Sequence, residues 1–290
     1  MTRLQRRWLY ACLWPIAAGA QTPDWWTVDG FELASPASVF RFSDLDLRDP
    51  HVYLPIALPP PLGTLCADFT DNPIPTTTTS FNGEIQRSYT SDTNPLDGVL
   101  DASSLLWFRP LRQDGVIARV DNGSADCLAP APPASCAPSA TATPMAYNYA
   151  VAAAGVCLSA VSGTLGAPPY NPAVSTPSAP CFTTSPRTFV FDLQGTPVTL
   201  IDAQLAGTLS GNPANAISNG LLRGFLRESD ANLILITNPN DPTQSVPLSS
   251  LLAGGTGSCA SRNDKDSYQG VAGWWFYFNY SAAPVAYTGP

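Results

Sequence analysis

A proline removes one backbone donor and blocks the helical turn before it, and this chain carries 30 of them in 290 residues, about twice the usual share of about 5%. Long helices are disfavoured on that ground, and short strands joined by many turns are the natural alternative, which is the mainly β class. The chain can still bury a core: 44% of its residues are hydrophobic and only 12% charged, too apolar a balance for intrinsic disorder.

The first residues set the compartment. MTRLQRR, then WLYACLWPIAAG, then the small triplet Ala18, Gly19 and Ala20 have the basic, apolar and small-residue regions of a cleaved export signal. The apolar part is about a dozen residues, short of the about 20 that a spanning helix needs. The expected organisation is a signal peptide over 1–20 and a single β-rich domain over 21–290, secreted or held in the periplasm or cell envelope. Removal of Arg3, Arg6 and Arg7 leaves 11 of the 14 Lys and Arg against 22 Asp and Glu, which moves the net charge from −8 to −11. With Lys265 as the sole lysine, the chain lacks the basic stripe that a phosphate backbone requires, so nucleic acid is not an expected partner. No later segment reaches the roughly 18 apolar residues of a helical membrane span.

Six cysteines follow the signal: Cys66, Cys127, Cys136, Cys157, Cys181 and Cys259. An even number in an exported chain points to three disulfides. Pairing neighbours gives Cys127 with Cys136 and Cys157 with Cys181, which leaves Cys66 for Cys259. None stands in a C-x-x-C pair, and one histidine, His51, does not make a zinc constellation of the usual Cys/His type.

Along the chain, SVFRFSDLDL alternates apolar and polar residues as a half-buried strand does, with a slip of phase near Ser43. HVYLPIAL extends it, and EIQRSY can form one helical turn. SSLLWFRPLR and GVIARVDN are two strands joined at Gln113, Asp114 and Gly115. The stretch 129–144, rich in Ala, Pro, Ser and Thr, has the composition of a linker. Cys136 within it points to a stapled surface loop, with a domain sub-boundary as the alternative. From Phe189, FVFDLQGTPVTLIDAQLAGTLSG has the period of a sheet, with Ile201, Ala203, Leu205 and Leu209 on one face. Leu221, Leu222, Phe225 and Leu226 then recur at helical spacing, with Ser218 or Asn219 as N-cap, and VPLSSLLAGG is a second short helix candidate. The last strand, GWWFYFNYSAAPVAY, puts Trp274, Phe276 and Phe278 on one face and Trp275, Tyr277 and Asn279 on the other.

Chemistry is sparse. There is no G-x-S-x-G elbow, no H-E-x-x-H and no P-loop. His51 would have to serve any Ser-His-Asp triad, and its context, RDPHVYL, fits a surface or sheet-edge histidine as well. Glu84 and Glu228 are the first carboxylates to consider for acid and base roles. Asp92, Asn94, Asp97 and Asp101 fall within ten residues around Gly98 in DTNPLDGVLD. Calcium takes oxygen ligands spaced in this way, while an Asx-rich turn that caps the next element uses the same residues. A second group, Asn263, Asp264 and Asp266, is balanced by Arg262 and Lys265 and fits a solvated loop. Trp275 and Tyr277, two apart, can stack on sugar rings if their face is open; the alternative is a strand buried on both faces.

The 92–101 segment resembles the calcium loops of dockerins and thrombospondin type 3 repeats, departing from them by the extra residue Leu96. The run from LRDPHVYL through LDASSLLWFRPL and NGLLRGFLRESDANLILI to GWWFYFNYSAAPVAYTG resembles exported bacterial β-rich proteins of unassigned function, which implies an envelope or extracellular setting and no particular activity. The expectation is therefore an antiparallel β-sandwich with one or two short helices, stapled by disulfides. Its expected role is that of an exported non-catalytic structural or binding module, calcium-stabilised and recognising a glycan or other cell-surface ligand. A secreted hydrolase using acidic residues gathered by the fold is the alternative.

Overall fold

The computed structural model describes residues 38–288 apart from 76, 94, 141, 167–170, 194–195, 239–240, 258 and 260–263; the expected signal over 1–20 and the candidates Asn94 and Asn263 lie outside the described residues. Strand β1 (Ser38–Asp49) is followed by β2 (Tyr53–Ala57), β3 (Thr64–Asp68), helix α1 (Phe81–Thr90) and β4 (Ser104–Arg109). Next come β5 (Ala118–Cys127), β6 (Ser135–Pro138), β7 (Met145–Ala152), β8 (Cys181–Thr184), β9 (Arg187–Leu193), β10 (Thr196–Gly211) and β11 (Ala214–Arg227). Helix α2 (Glu228–Ala231), β12 (Leu235–Asn238), β13 (Asp241–Pro247), a 3-10 turn over Leu248–Ser250, β14 (Asp266–Tyr268), β15 (Val271–Pro284) and β16 (Ala286–Tyr287) complete the order.

Eight of these strands pair antiparallel in a ring. β1 joins β4, β4 joins β5, β5 joins β7, and β7 joins β8. β8 then joins β10, β10 joins β11, β11 joins β15, and β15 returns to β1. A closed eight-stranded sheet is a barrel whose lumen is filled by side chains or holds one small ligand. The fold is thus mainly β, antiparallel and disulfide-stapled, as expected. The facing layers expected of a sandwich arise as opposite walls of one closed sheet.

Closure needs curvature, and the bulges provide it. β1 slips register between Phe42 and Asp44, where the sequence loses phase, and β10 and β11 slip near Asp202 and Asn219. Those two residues take φ of 52° and 48°, a left-handed conformation that Asp and Asn tolerate better than most. Alternation along each strand sorts the side chains. Phe42, Phe108, Tyr149, Phe182, Leu205, Leu222, Trp274, Phe276 and Phe278 share one buried core. Trp274 is wholly buried, so its truncation to Ala would cost about 3–5 kcal/mol.

The outer wall is covered in two places. Val39, Leu105 and Trp107 pack with the Cys127–Cys136 disulfide. Leu221, Phe225, Trp275 and Tyr277 pack with Leu158 from the segment between β7 and β8, which the Cys157–Cys181 bond ties down. The third bond joins Cys66 to Cys259, so all three pairs are those expected from neighbour pairing. Within the 129–144 stretch β6 pairs with β5, and β7, just beyond it, pairs with β5 as well.

The helix expected over 218–226 is a correction: these residues belong to β11. Leu222 and Leu226 face the lumen while Leu221 and Phe225 face the covered outer wall. A strand buried on both faces loses its polar alternation, and apolar pairs set four apart then imitate a helical stripe. VPLSSLLAGG forms only the 3-10 turn. In contrast, the single turn expected at EIQRSY is a helix of 10 residues, α1, which Ser80 caps by accepting from Gly83 N–H. No helix among the described residues is long and apolar enough to cross a membrane.

Candidate functional site

Helix α1 lies against β1 through Asn82, whose side-chain oxygen accepts from Leu47 N–H at 2.7 Å and whose amide donates to Leu47 O at 2.9 Å. It thereby continues the strand's hydrogen bonding sideways. Arg41 holds the other end of the helix, bonding to Tyr89 O, to Ala102 O and to Ser103 Oγ. Between α1 and the barrel opens a cavity of about 1540 Å³. Its lining includes the apolar Leu45, Phe69, Ile85, Phe191 and Phe278 together with Thr79, Ser88, Ser104, Ser124 and Thr143. Glu84, Asp101 and Asp126 are the acids at its wall and Arg87 is the base. It exceeds the roughly 300–1,000 Å³ of a typical small-ligand pocket.

The sequence candidates are dispersed. Glu84 pairs with Arg87 on α1, and Glu228 pairs with Lys265 at 2.6 Å, so each has a base of its own. In the 92–101 loop, Asp92 accepts from Asp97 N–H and Gly98 N–H at 3.0 and 2.8 Å, and Asp97 accepts from Val99 N–H at 3.0 Å. Asp101 accepts from the N–H and the hydroxyl of Thr93 at 2.7 and 2.6 Å. These are the bonds of a capped turn, and Gly98 takes φ of 87° within it. Trp275 and Tyr277 are buried at 4% and 0% exposure, and the Tyr277 hydroxyl bonds to Val161 N–H and to Thr164. A sugar could reach them only after the 157–166 segment had moved away.

The fold assembles a different cluster at the end of β1. Asp49, His51 and Asp264 offer one ligand atom each, all within 4.8 Å of one another, and all three residues are buried. His51 Nδ1 donates to Asp68 Oδ2 at 2.7 Å. Asp68 is itself fixed by the N–H and hydroxyl of Thr70 at 3.0 and 2.7 Å. Asp264 Oδ2 accepts from His51 N–H at 3.1 Å, and Asp49 Oδ1 accepts from Gly166 N–H at 3.0 Å. Gly166 lies so close to Asp264 that a Cβ there would overlap the carboxylate. Asp266 stands beside them and accepts from Trp275 N–H at 3.2 Å.

Burial and the nearby Asp264 charge push the Asp49 carboxyl up to about 7, against the opposing effects of Gly166 N–H and His51. Burial likewise pushes Asp266 up to about 6, with Trp275 N–H opposing and Asp264 adding. For His51, burial disfavours the imidazolium, but Asp68, Asp264 and Asp49 outweigh it and raise the pKa. Burial acts upward on Asp68 too, and is outweighed by the bonds from His51 and Thr70, which hold it low.

Two expectations are corrected here. His51 is not a surface or edge histidine: it is buried, and its orienting partner is Asp68 rather than a residue beside it in sequence. Asp264 does not belong to a solvated loop, since it reaches under the end of β1. The signal that could have found the pair was the proximity of the lone histidine to Asp49, but the partner 213 residues away had no mark of its own. Comparisons with protein-family models, with curated proteins and with solved structures return no match, so function rests on this geometry.

Proposed function

We propose that the protein is an exported, non-catalytic binding module that takes a neutral amphipathic ligand, with a hydroxylated head such as a sugar and an apolar body, into the mouth of its barrel. The observation that carries this reading is the lining of the cavity, which mixes large apolar side chains with several serines and threonines. Their hydroxyls exchange hydrogen bonds with a sugar without burying a charge. Three acids against one base at the wall, in a chain of net charge −8, disfavour an anionic head. The glycan expectation is thereby moved from the covered aromatic strand to the cavity.

The test is saturable binding of dodecyl maltoside below its micellar concentration, followed by calorimetry, with Ser124→Trp beside the native protein. Ser124 is an exposed lining residue, so the substitution narrows the cavity and leaves the core alone. Binding at one site, weakened about tenfold or more by Ser124→Trp, a loss of about 1.4 kcal/mol, supports the reading. Unsaturable partitioning, or equal affinity in the variant, would discard it. The hydrolase alternative draws on Asp49, whose carboxyl near pH 7 is of the kind acid–base catalysis uses. Its 2% exposure keeps a substrate away, and the cavity lining does not include it.

A further inference from the structure

We infer that Asp49, His51 and Asp264 bind one divalent transition-metal ion, with zinc the ion their chemistry fits, and that this ion pins the end of β1 to the 264–266 segment. The ion's role is to tie two segments together, its ligands being buried and absent from the cavity lining, and the inference stands apart from the cavity and its ligand.

Three observations converge. The first is placement: one imidazole and one carboxylate from the end of β1 and a second carboxylate from the distant 264–266 segment come together away from solvent, a mixed nitrogen and oxygen donor set that suits zinc and that calcium, which takes oxygen alone, does not favour. The second is Asp49 Oδ2, which is buried and has no hydrogen-bond partner among the described residues. A buried acceptor left bare is costly, and an ion beside it supplies the missing contact while neutralising the two carboxylates. The third is Asp68. By accepting from His51 Nδ1 it orients the ring and leaves Nε2 as the coordinating atom, the carboxylate–histidine–metal arrangement that raises ligand basicity. Zinc bonds of about 2.0–2.2 Å set tetrahedral neighbours about 3.3–3.6 Å apart. Ligand atoms within 4.8 Å reach that spacing by small side-chain rotations, with the fourth position left for water.

The experiment is a zinc titration of the full-length, oxidised protein without a histidine tag, read by calorimetry and by nitrogen-15 NMR of the imidazole. The chain has one histidine, so the ring signal is unambiguous. We expect one equivalent of zinc, a shift of the His51 Nε2 resonance on binding, about 100-fold weaker binding in Asp49→Asn, and about tenfold weaker binding in Asp68→Asn. Binding without an Nε2 shift, affinity unchanged by Asp49→Asn, calcium binding as tightly as zinc, or no binding at all would each overturn the assignment. Far-UV circular dichroism reports whether Asp49→Asn is folded. Should it not be, the Nε2 shift in the native protein decides alone.

Discussion

Two acidic clusters on this molecule handle their charges in opposite ways. The 92–101 loop gathers Asp92, Asp97 and Asp101 in a short stretch of chain, and each carboxylate turns back on the loop's own N–H and hydroxyl groups. The cluster at the end of β1 joins Asp49 and His51 to the distant Asp264, buries all three and brings one ligand atom of each within 4.8 Å of the others. The first is conspicuous in sequence and already satisfied. The second is invisible in sequence and carries shifted protonation. Local density of acids marks a turn, which needs acceptors for its own backbone, whereas convergence under burial marks a place where protons or ions are held.

The comparison can be broken first by pH, where we expect the largest effect. Asp49 and Asp266 titrate near 7 and 6 in the fold but near 3.9 in an unfolded chain. Between those values the native state holds more protons than the unfolded one, so stability falls as pH rises. The contribution is complete below about 4 and is lost as pH climbs through about 6 to 7. His51, also raised, acts in the same direction, while the lowered Asp68 matters only below its ordinary value. In EDTA the protein should therefore be more stable at pH 5 than at pH 8, by on the order of 3 kcal/mol, since each tenfold change in a group's proton affinity on folding is worth about 1.4 kcal/mol. Saturating zinc, which binds the deprotonated ligands, should shrink or invert the difference. Equal urea midpoints at the two pH values in EDTA would mean that the buried cluster is no more strained than the exposed loop.

A smaller effect is expected from His51→Ala at pH 7 in EDTA. The imidazole stacks on Tyr53 at 5.9 Å between ring centres and donates to Asp68. Its removal leaves a cavity beside Asp49 and Asp264 without a positive charge, a loss of about 2 kcal/mol in chemical denaturation. A loss below about 0.5 kcal/mol would place His51 among ordinary surface residues.

The phase slip in β1, the β4–β5 pair and the two faces of β15 could all be read from the sequence, although β4 and the aromatic part of β15 are buried on both faces. β11 was misread because both its faces are covered, one by the lumen and one by the 157–166 segment, and its apolar residues fall as the pairs Leu221–Leu222 and Phe225–Leu226, four apart, which match a helical stripe. Barrel closure was hidden for another reason. It depends on the pairing of β5 with β7 across the stapled loop, a non-local choice that no residue announces. Two disulfides were legible because sequence neighbours in a tied loop are also neighbours in space, and the third, between Cys66 and Cys259, followed by elimination. Asp264 was not, since only the fold brings it under His51.

The smallest effect sharpens the comparison from the other side. Asp92→Ala removes the acceptor for Asp97 N–H and Gly98 N–H, and Asp97→Ala removes one for Val99 N–H, all in a loop where water can replace the lost partner. Each should cost about 0.5–1 kcal/mol, with the larger value for Asp92 because it holds two donors. Because these oxygens already face inward to the loop's own backbone, excess calcium should leave the thermal midpoint of the native protein unmoved. A ligand stabilises only through preferential binding to the folded state, and the loop's carboxylates are held in place by its own backbone donors without an ion. A calcium-dependent rise abolished by both Asp92→Ala and Asp97→Ala would show that the loop opens to bind the ion. The exposed cluster would then be a site in its own right, and the contrast with the buried one would become a contrast between two ions.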